Sequence, residues 1–164
     1  MSELIPKIVL WLFVINLGIA FGAGLYEVRI VVPQWLSFSP EAGYRWNVSA
    51  AREINPGLGF WVFVTTVPLT LLTVASLLAA GWTQEPVRSW WLGAALVVLV
   101  ERLMAYVYFL PTMVQLLRSQ ALEESQAAAK ALRWMKMSYV RHAVIFIAWL
   151  VALKAFSLLY AQGG

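Results

Sequence analysis

Long apolar stretches dominate the hydropathy pattern of this chain, and four of them are long enough to cross a lipid bilayer as helices. A spanning helix needs about 20 largely apolar residues, because the hydrocarbon core is about 30 Å thick and each helical residue adds about 1.5 Å. The predicted spans are residues 5–27, 57–81, 90–115 and 134–160, and the longer connections are residues 28–56 and 116–133. The pattern therefore predicts an all-α protein, an integral membrane four-helix bundle that forms a single transmembrane domain over residues 1–164.

The sequence of the first predicted span fits either a secretory leader or a membrane span, and the connection after it contains helix-breaking prolines. Lys7 ahead of an apolar run is typical of a secretory leader, but the run is long enough to span, so we expect it to remain a span. Pro33 and Pro40 should prevent one continuous helix through the connection. Ser39 before Pro40 is a typical helix start, and a helix is predicted to begin there.

Polar and small residues share one face of the first span. Asn16 and Glu27 lie about three helical turns apart, with Ala20 and Ala23 between them. Small residues in a membrane helix either let a neighbouring helix approach closely or leave room for a cavity. The sequence supports both interpretations.

The second span combines a threonine stripe with a proline. Thr66, Thr70 and Thr73 lie at helical spacing, and we expect such hydroxyls to bond to their own backbone. Pro68 removes a backbone N–H, so a carbonyl at membrane depth must find another donor. In the third span, Pro111 should bend or end the regular helix.

The third span carries two ionisable residues, Glu101 and Arg102, near its middle. A charge at that depth costs at least about 2.5 kcal/mol on insertion scales, and such residues commonly mark function. Helical spacing places Glu101 on one stripe with Tyr108, Thr112 and Gln115. Arg102 points about 100° away, so the two charges are expected to have separate partners.

The fourth span contains Arg141 and His142, about 10 Å inside it if the span begins near Trp134. An arginine at that depth can extend to Glu101 in an antiparallel bundle, so an Arg141–Glu101 contact is predicted. Such a pair either fixes helix register or takes part in function. His142 is likewise either structural or a ligand-binding group. The polar, alanine-rich stretch before the span is predicted to be a helix that can continue into it.

Composition supports a membrane protein and excludes several chemistries. Hydrophobic residues make up 62% of the chain and charged residues 12%. The absence of cysteine excludes disulfide exchange, thiolate catalysis and iron–sulfur clusters. With no aspartate and a single histidine, bis-histidine haem ligation within one chain is excluded, and no metal site is predicted. The net charge of +4 forms no dense basic run with interleaved aromatics, so no nucleic-acid partner is predicted.

The basic residues predict the orientation of the chain in the membrane. Lys7 and Arg88 lie on the side of the termini. The other side, with the longer connections, carries Arg29, Arg45, Arg52, Arg118, Lys130, Arg133 and Lys136. By the positive-inside rule, the chain is predicted to be multi-pass in the cell (inner) membrane, with both termini external and the long connections cytoplasmic.

Several positions resemble the anthrone-oxygenase-like family of small four-helix membrane proteins. They are Gly24, Leu25, Tyr26, Glu27, Pro33, Trp35, Asn55, Pro56, Tyr108, Pro111, Trp134 and Arg141. Much of that family is bacterial and described only as a domain of unknown function. Some fungal and polyketide-pathway members are similar to cofactor-independent monooxygenases that oxidise anthrones to anthraquinones. The resemblance thus implies a four-helix membrane protein and, for some members, oxygenation without a cofactor.

Two functions of different classes fit these features. The first is a cofactor-independent oxygenase-like enzyme acting on a lipophilic aromatic or quinone-like substrate in an intramembrane pocket. In such chemistry a base removes a proton from the substrate and a cation stabilises the resulting oxyanion. The catalytic candidates are Glu101 or His142 as base, Glu27 as a second base candidate, and Arg141 as oxyanion partner. The candidate substrate-binding residues are Tyr108, Thr112, Asn16, Tyr26 and Trp134.

The second function is a non-catalytic lipid- or quinone-binding protein, or an assembly subunit of a membrane complex, whose buried charges fix packing. A transporter fits less well, because four short-looped helices show no inverted repeat. In both main hypotheses the expected partners are membrane lipid, a lipophilic small molecule and further copies of the chain in a homo-oligomer.

Overall fold

Four helices are long and apolar enough to cross a membrane in the computed structural model, which describes residues 4–53, 57–118 and 123–161. These spans 1 to 4 are Leu4–Trp35, Gly59–Ala80, Val87–Leu117 and Glu124–Ala161. The predicted all-α bundle is confirmed, and the four spans fit a multi-pass membrane protein. Parts of the predicted connections, including Asn55 and Pro56 of the family resemblance, lie outside the described residues.

A π-helical segment that ends two residues before a proline lies within span 1, across the start of span 2 and within span 3. The segments are Glu27–Val31 ahead of Pro33, Gly57–Thr66 ahead of Pro68, and Ala105–Phe109 ahead of Pro111. Proline has no N–H, and its ring clashes with the carbonyl four residues earlier, so a regular α-helix cannot continue through it unchanged. The wider π turn accommodates the proline while the chain continues as a helix.

Regular α-helix occupies the remainder of each span. The α-helical segments are Leu4–Tyr26, Val32–Trp35, Val67–Ala80, Val87–Met104, Leu110–Leu117 and Glu124–Ala161. Pro33 and Pro111 therefore interrupt their spans without ending them, and span 1 runs beyond its predicted end at residue 27. Span 4 is one helix of 38 residues, so its polar beginning is continuous with the membrane part, as predicted.

A small hairpin caps the bundle on the side of the longer connections. Strand β1, Leu36–Ser39, pairs antiparallel with β2, Gly43–Trp46. Gly43 has a φ of 71°, a left-handed conformation that glycine adopts without steric cost. The hairpin packs against span 4, and the short helix Val48–Glu53 packs against Leu110–Leu117.

The helix start predicted at Ser39 is wrong. The backbone N–H of Glu41 donates to the Ser39 hydroxyl at 3.4 Å, so the serine stabilises the hairpin turn instead of capping a helix. The helix begins at Val48, and the side chain of Asn47 accepts the Ala50 N–H at 3.0 Å as its cap. Serine caps and serine turns use the same short hydroxyl, which is why the local sequence does not distinguish them.

Two apolar cores occupy opposite ends of the bundle. One lies on the side of the termini and includes Phe13 and Trp91, whereas the other lies beneath the hairpin and includes Trp46 and Leu116. Buried charged groups, Glu101 and Arg102 among them, are held apart from both apolar cores.

The small residues of span 1 allow span 4 to pack closely. A Cβ added at Gly18 would lie 3.2 Å from Trp149, and one added at Gly24 would overlap the His142 ring at Nε2. At Gly22 an added Cβ would meet no atom within 4 Å. Close packing of helices therefore applies at two small residues of span 1, Gly18 and Gly24.

We expect Gly24→Ala to lower the free energy of unfolding by about 1–3 kcal/mol, because the added methyl group would overlap the His142 ring. Gly22→Ala is the matched control and should leave stability unchanged or raise it by up to about 1 kcal/mol, because alanine is the better helix former. Unfolding in detergent micelles, followed by tryptophan fluorescence, compares the two variants. Equal stability of both would show that His142 does not pack against Gly24.

Candidate functional site

A buried ion cluster joins spans 3 and 4. Arg102 donates from Nε and Nη2 to the two carboxylate oxygens of Glu101, at 2.6 and 2.7 Å. Arg141 donates from Nε to Oε1 of the same carboxylate at 2.7 Å. Glu101 and Arg102 are each 3% exposed. The predicted Arg141–Glu101 contact is confirmed, and both oxygens of Glu101 are occupied by charge-assisted hydrogen bonds.

The expectation that Glu101 and Arg102 have separate partners is wrong. The Cα–Cβ directions of adjacent helical residues diverge by about 100°, but that angle does not limit where a long guanidinium arm ends. Leaving either charge unpaired at membrane depth costs several kcal/mol, more than the rotamer freedom lost when Arg102 turns back to its neighbour.

A cavity of about 150 Å³ lies among the four spans, on the side of the longer connections. Its aromatic wall is formed by Trp35, Trp61, Phe109 and Trp134. Its aliphatic wall is formed by Val62, Ala105, Leu110, Met113, Val114 and Leu117. The polar groups in the wall are Thr66 and two charged side chains, Glu27 and Arg141. A carboxylate and a guanidinium thus face a largely apolar, aromatic space.

The π-helical segments position much of this wall. Glu27 begins the first segment, Trp61 lies in the second, and Ala105 and Phe109 begin and end the third. A π turn holds more residues than an α turn, so side chains beyond it are rotated around the helix axis. The prolines of three spans therefore influence which side chains reach the cavity.

Arg141 is fixed at the cavity wall by contacts on several sides. Its Nε bonds Glu101, and its Cζ lies 5.0 Å from the centre of the Phe109 ring, a cation–π contact. Trp134 donates from its indole nitrogen to the Phe109 carbonyl at 3.3 Å, and the two rings pack edge to face. The guanidinium is thereby pre-oriented toward the cavity without a ligand.

Glu27 lines the same cavity as Arg141. Its carboxylate interacts electrostatically with Arg141 and lies near the Trp61 indole. Within the part of the chain that the structure describes, Glu27 takes part in no ion pair shorter than 4 Å. Its carboxylate therefore remains able to meet a ligand.

The cavity brings together three of the predicted site residues, Glu27, Arg141 and Trp134. Glu101 does not line the cavity and acts on it only through Arg141. His142 is 5% exposed and packs against Gly24, outside the cavity lining.

Two predicted binding residues of span 3 also lie outside the lining. Tyr108 is displaced because the π-helical segment adds one residue to the turn, so Phe109 takes the inward position that α-helical spacing gave to Tyr108. Thr112 is buried, 7% exposed, but does not contribute to the wall.

Two predicted binding residues of span 1 have other roles. Tyr26 is 62% exposed and faces away from the bundle. Asn16 donates from Nδ2 to the Val64 carbonyl at 2.9 Å. That carbonyl lies four residues before Pro68, so its α-helical donor is missing, and the predicted need for another donor is confirmed.

The threonine stripe of span 2 mostly bonds to its own backbone, as expected. Thr70 donates to the Thr66 carbonyl at 2.7 Å, and Thr73 donates to the Leu69 carbonyl at 2.6 Å. These hydroxyls are thereby satisfied inside the membrane without a ligand.

Several wall residues were not singled out from the sequence, notably Trp61, Phe109 and Met113. A sequence feature that could have predicted these positions is the proline that recurs inside the apolar spans. Such a proline indicates a local widening of the helix, which changes the register of the side chains around it. Taken one at a time, the prolines predicted an interrupted helix, a missing backbone donor or a bend, but no change of register.

Comparisons with other proteins add no assignment to this geometry. No protein-family model, no curated protein and no solved structure matches the chain. Across the described ranges, no three histidine or acidic side chains are grouped so that they could hold a metal ion.

We expect Glu101→Gln to destabilise the fold by about 3–5 kcal/mol, because a neutral amide would leave the buried Arg102 and the partly buried Arg141 without their shared charge. Glu124→Gln is the matched control, since Glu124 pairs with Arg45 at 3.7 Å while the side chains are 68% and 63% exposed. Loss of that solvated pair should cost no more than about 0.5 kcal/mol. Unfolding in detergent micelles measures both, and a Glu101→Gln protein as stable as wild type would contradict the ion-cluster account.

Proposed function

We propose that this chain is a cofactor-independent, oxygenase-like membrane enzyme that binds a lipophilic aromatic or quinone-like substrate in the cavity. The observation that carries the proposal is the placement of Glu27 and Arg141 in a wall that is otherwise mostly aromatic and aliphatic. A carboxylate can accept a proton from the substrate, and a guanidinium stabilises the oxyanion that forms. Aromatic side chains favour a flat ring through stacked and edge-to-face contacts.

In the proposed reaction, Glu27 removes an acidic proton from the substrate ring system. The negative charge is shared between a ring carbon and the conjugated oxygen, which faces Arg141. Molecular oxygen adds at that carbon, and the resulting hydroperoxide loses water to leave a carbonyl group. For an anthrone the balance is one substrate and one O₂ giving one anthraquinone and one water, with all electrons supplied by the substrate.

This proposal redistributes the roles of the candidate residues. Glu27 becomes the base, because its carboxylate faces the cavity and Glu101 is fully bonded to two arginines. Glu101 becomes a positioning residue that holds Arg141 toward the substrate. His142 lies outside the cavity lining and is given a packing role.

We also propose that the spans lie in the cell (inner) membrane with the longer connections in the cytoplasm. Basic residues concentrate on that side of the bundle, which supports this orientation by the positive-inside rule. The cavity then lies in the cytoplasmic half of the membrane. Exposed apolar side chains along the spans, such as Val107 at 78%, would contact lipid.

The alternative is a non-catalytic lipid- or quinone-binding protein that uses the same cavity. The small cavity with its mostly apolar wall fits a binding protein as well as an enzyme, because both functions require a lipophilic ligand. Turnover separates the two: a ligand that binds and is recovered unchanged supports the binding protein.

We expect Glu27→Gln to lower kcat for anthrone oxidation by about 10²–10⁴-fold, the usual contribution of a general base. The assay is oxygen uptake and quinone absorbance with purified protein in lipid nanodiscs. Glu53→Gln removes an exposed carboxylate from the short helix after the hairpin and should retain full activity. Wild-type turnover by Glu27→Gln would refute the base assignment.

A further inference from the structure

The cavity has the size of a single aromatic ring. Its volume is about 150 Å³. An enclosed protein cavity of about this volume accommodates benzene. Its most buried walls are Trp35, Ala105, Phe109 and Trp134, each at most 5% exposed. A ligand with several fused rings would extend beyond these walls.

On one side of the cavity, a gap lies between span 2 and span 3. The π-helical segment Gly57–Thr66 packs against Leu4–Tyr26, but it makes no extensive contact with Ala105–Phe109 or Leu110–Leu117. Residues from both sides of this gap line the cavity, Val62 from span 2 and Val114 from span 3. The cavity therefore continues into the gap between the two spans.

The gap closes toward the termini. Thr70 and Tyr106 form a hydrogen bond between their hydroxyl oxygens at 3.1 Å, which joins span 2 to span 3. Beyond it, Val67–Ala80 and Val87–Met104 pack against each other. The opening is thus restricted to the part of the spans that faces the cavity.

The mouth of the gap is apolar and lies within the membrane-spanning part of both helices. Leu110 and Val114 line the cavity and are 38% and 44% exposed. The charged pair, Glu27 and Arg141, belongs to the same cavity. The site therefore offers charge to one part of a ligand and an apolar exit to another.

We infer that the ligand is a single-ring amphiphile with an apolar tail, such as an alkyl- or prenyl-substituted phenol or quinone. Its ring occupies the cavity with an oxygen toward Glu27 and Arg141, and its tail leaves between spans 2 and 3 into the lipid. The inference rests on the proposed ligand-binding role of the cavity and narrows the substrate class. It differs from the three-ring anthrones that the family resemblance suggested.

Binding tests this inference independently of turnover. The probes are 4-decylphenol, 4-methylphenol and anthrone, titrated against the protein in nanodiscs by quenching of tryptophan fluorescence, with empty nanodiscs correcting for partition into lipid. We expect 4-decylphenol to bind at least about tenfold more tightly than either other probe, because only its ring and tail match both parts of the site. Tighter binding of anthrone than of 4-decylphenol, or no saturable binding of 4-decylphenol, would overturn the inference.

Variants at the mouth provide the second readout. Val114→Trp, with Leu110→Trp as a repeat at the neighbouring position, should weaken 4-decylphenol binding by about tenfold or more by filling the exit. Val100→Trp is the matched control on the same span, because Val100 is 59% exposed and lies outside the cavity lining. Unchanged affinity in both mouth variants would overturn the proposed exit.

The two proposals fail in different ways. Saturable, mouth-dependent binding of 4-decylphenol without oxygen uptake for any probe upholds the ligand class and rejects the oxygenase. Oxidation of anthrone with no preference for a tailed ring upholds the oxygenase and rejects the ligand class.

Discussion

One buried carboxylate, shared by the buried Arg102 and the partly buried Arg141, sets the arrangement of this bundle. A charge inside a bilayer is costly unless it is paired, so Glu101, Arg102 and Arg141 must stay together once the helices are inserted. That requirement ties span 3 to span 4 at a fixed relative position. The apolar cores lie at the two ends of the bundle, each built of aromatic and aliphatic side chains that need no such partner.

The prolines add a second constraint, which acts on the side of the longer connections. Each is accommodated by a π-helical segment, and these segments contribute Glu27, Trp61 and Phe109 to one cavity. Backbone groups inside a membrane must be satisfied internally, and Asn16 supplies the donor that Pro68 lacks. The ion cluster then presents Arg141 to the space that the widened helices leave. The charged and accessible site thus results from two structural requirements: the pairing of buried charges and the accommodation of prolines within the spans.

The spans and the Arg141–Glu101 contact could be predicted from the sequence, because hydropathy determines what enters the membrane and an arginine side chain is long enough to bridge helices. The position of Phe109 could not, since α-helical spacing assigns Tyr108 to that face and only the π turn moves it. The Glu101–Arg102 pair was missed because backbone direction does not determine where a flexible guanidinium ends. The cavity could not be predicted either, because its size depends on the distances between helices, and these distances cannot be derived from any single stretch of the sequence.

Glu101 holds Arg141 at the wall of an open intramembrane cavity, opposite Glu27. Electron cryomicroscopy of the protein, purified in its native lipids and reconstituted in nanodiscs, can test this arrangement. We expect density for a lipophile whose polar end lies between Glu27 and Arg141, with Arg141 still bonded to Glu101. A cavity closed by its own aromatic side chains, or an Arg141 turned away from Glu101, would contradict it.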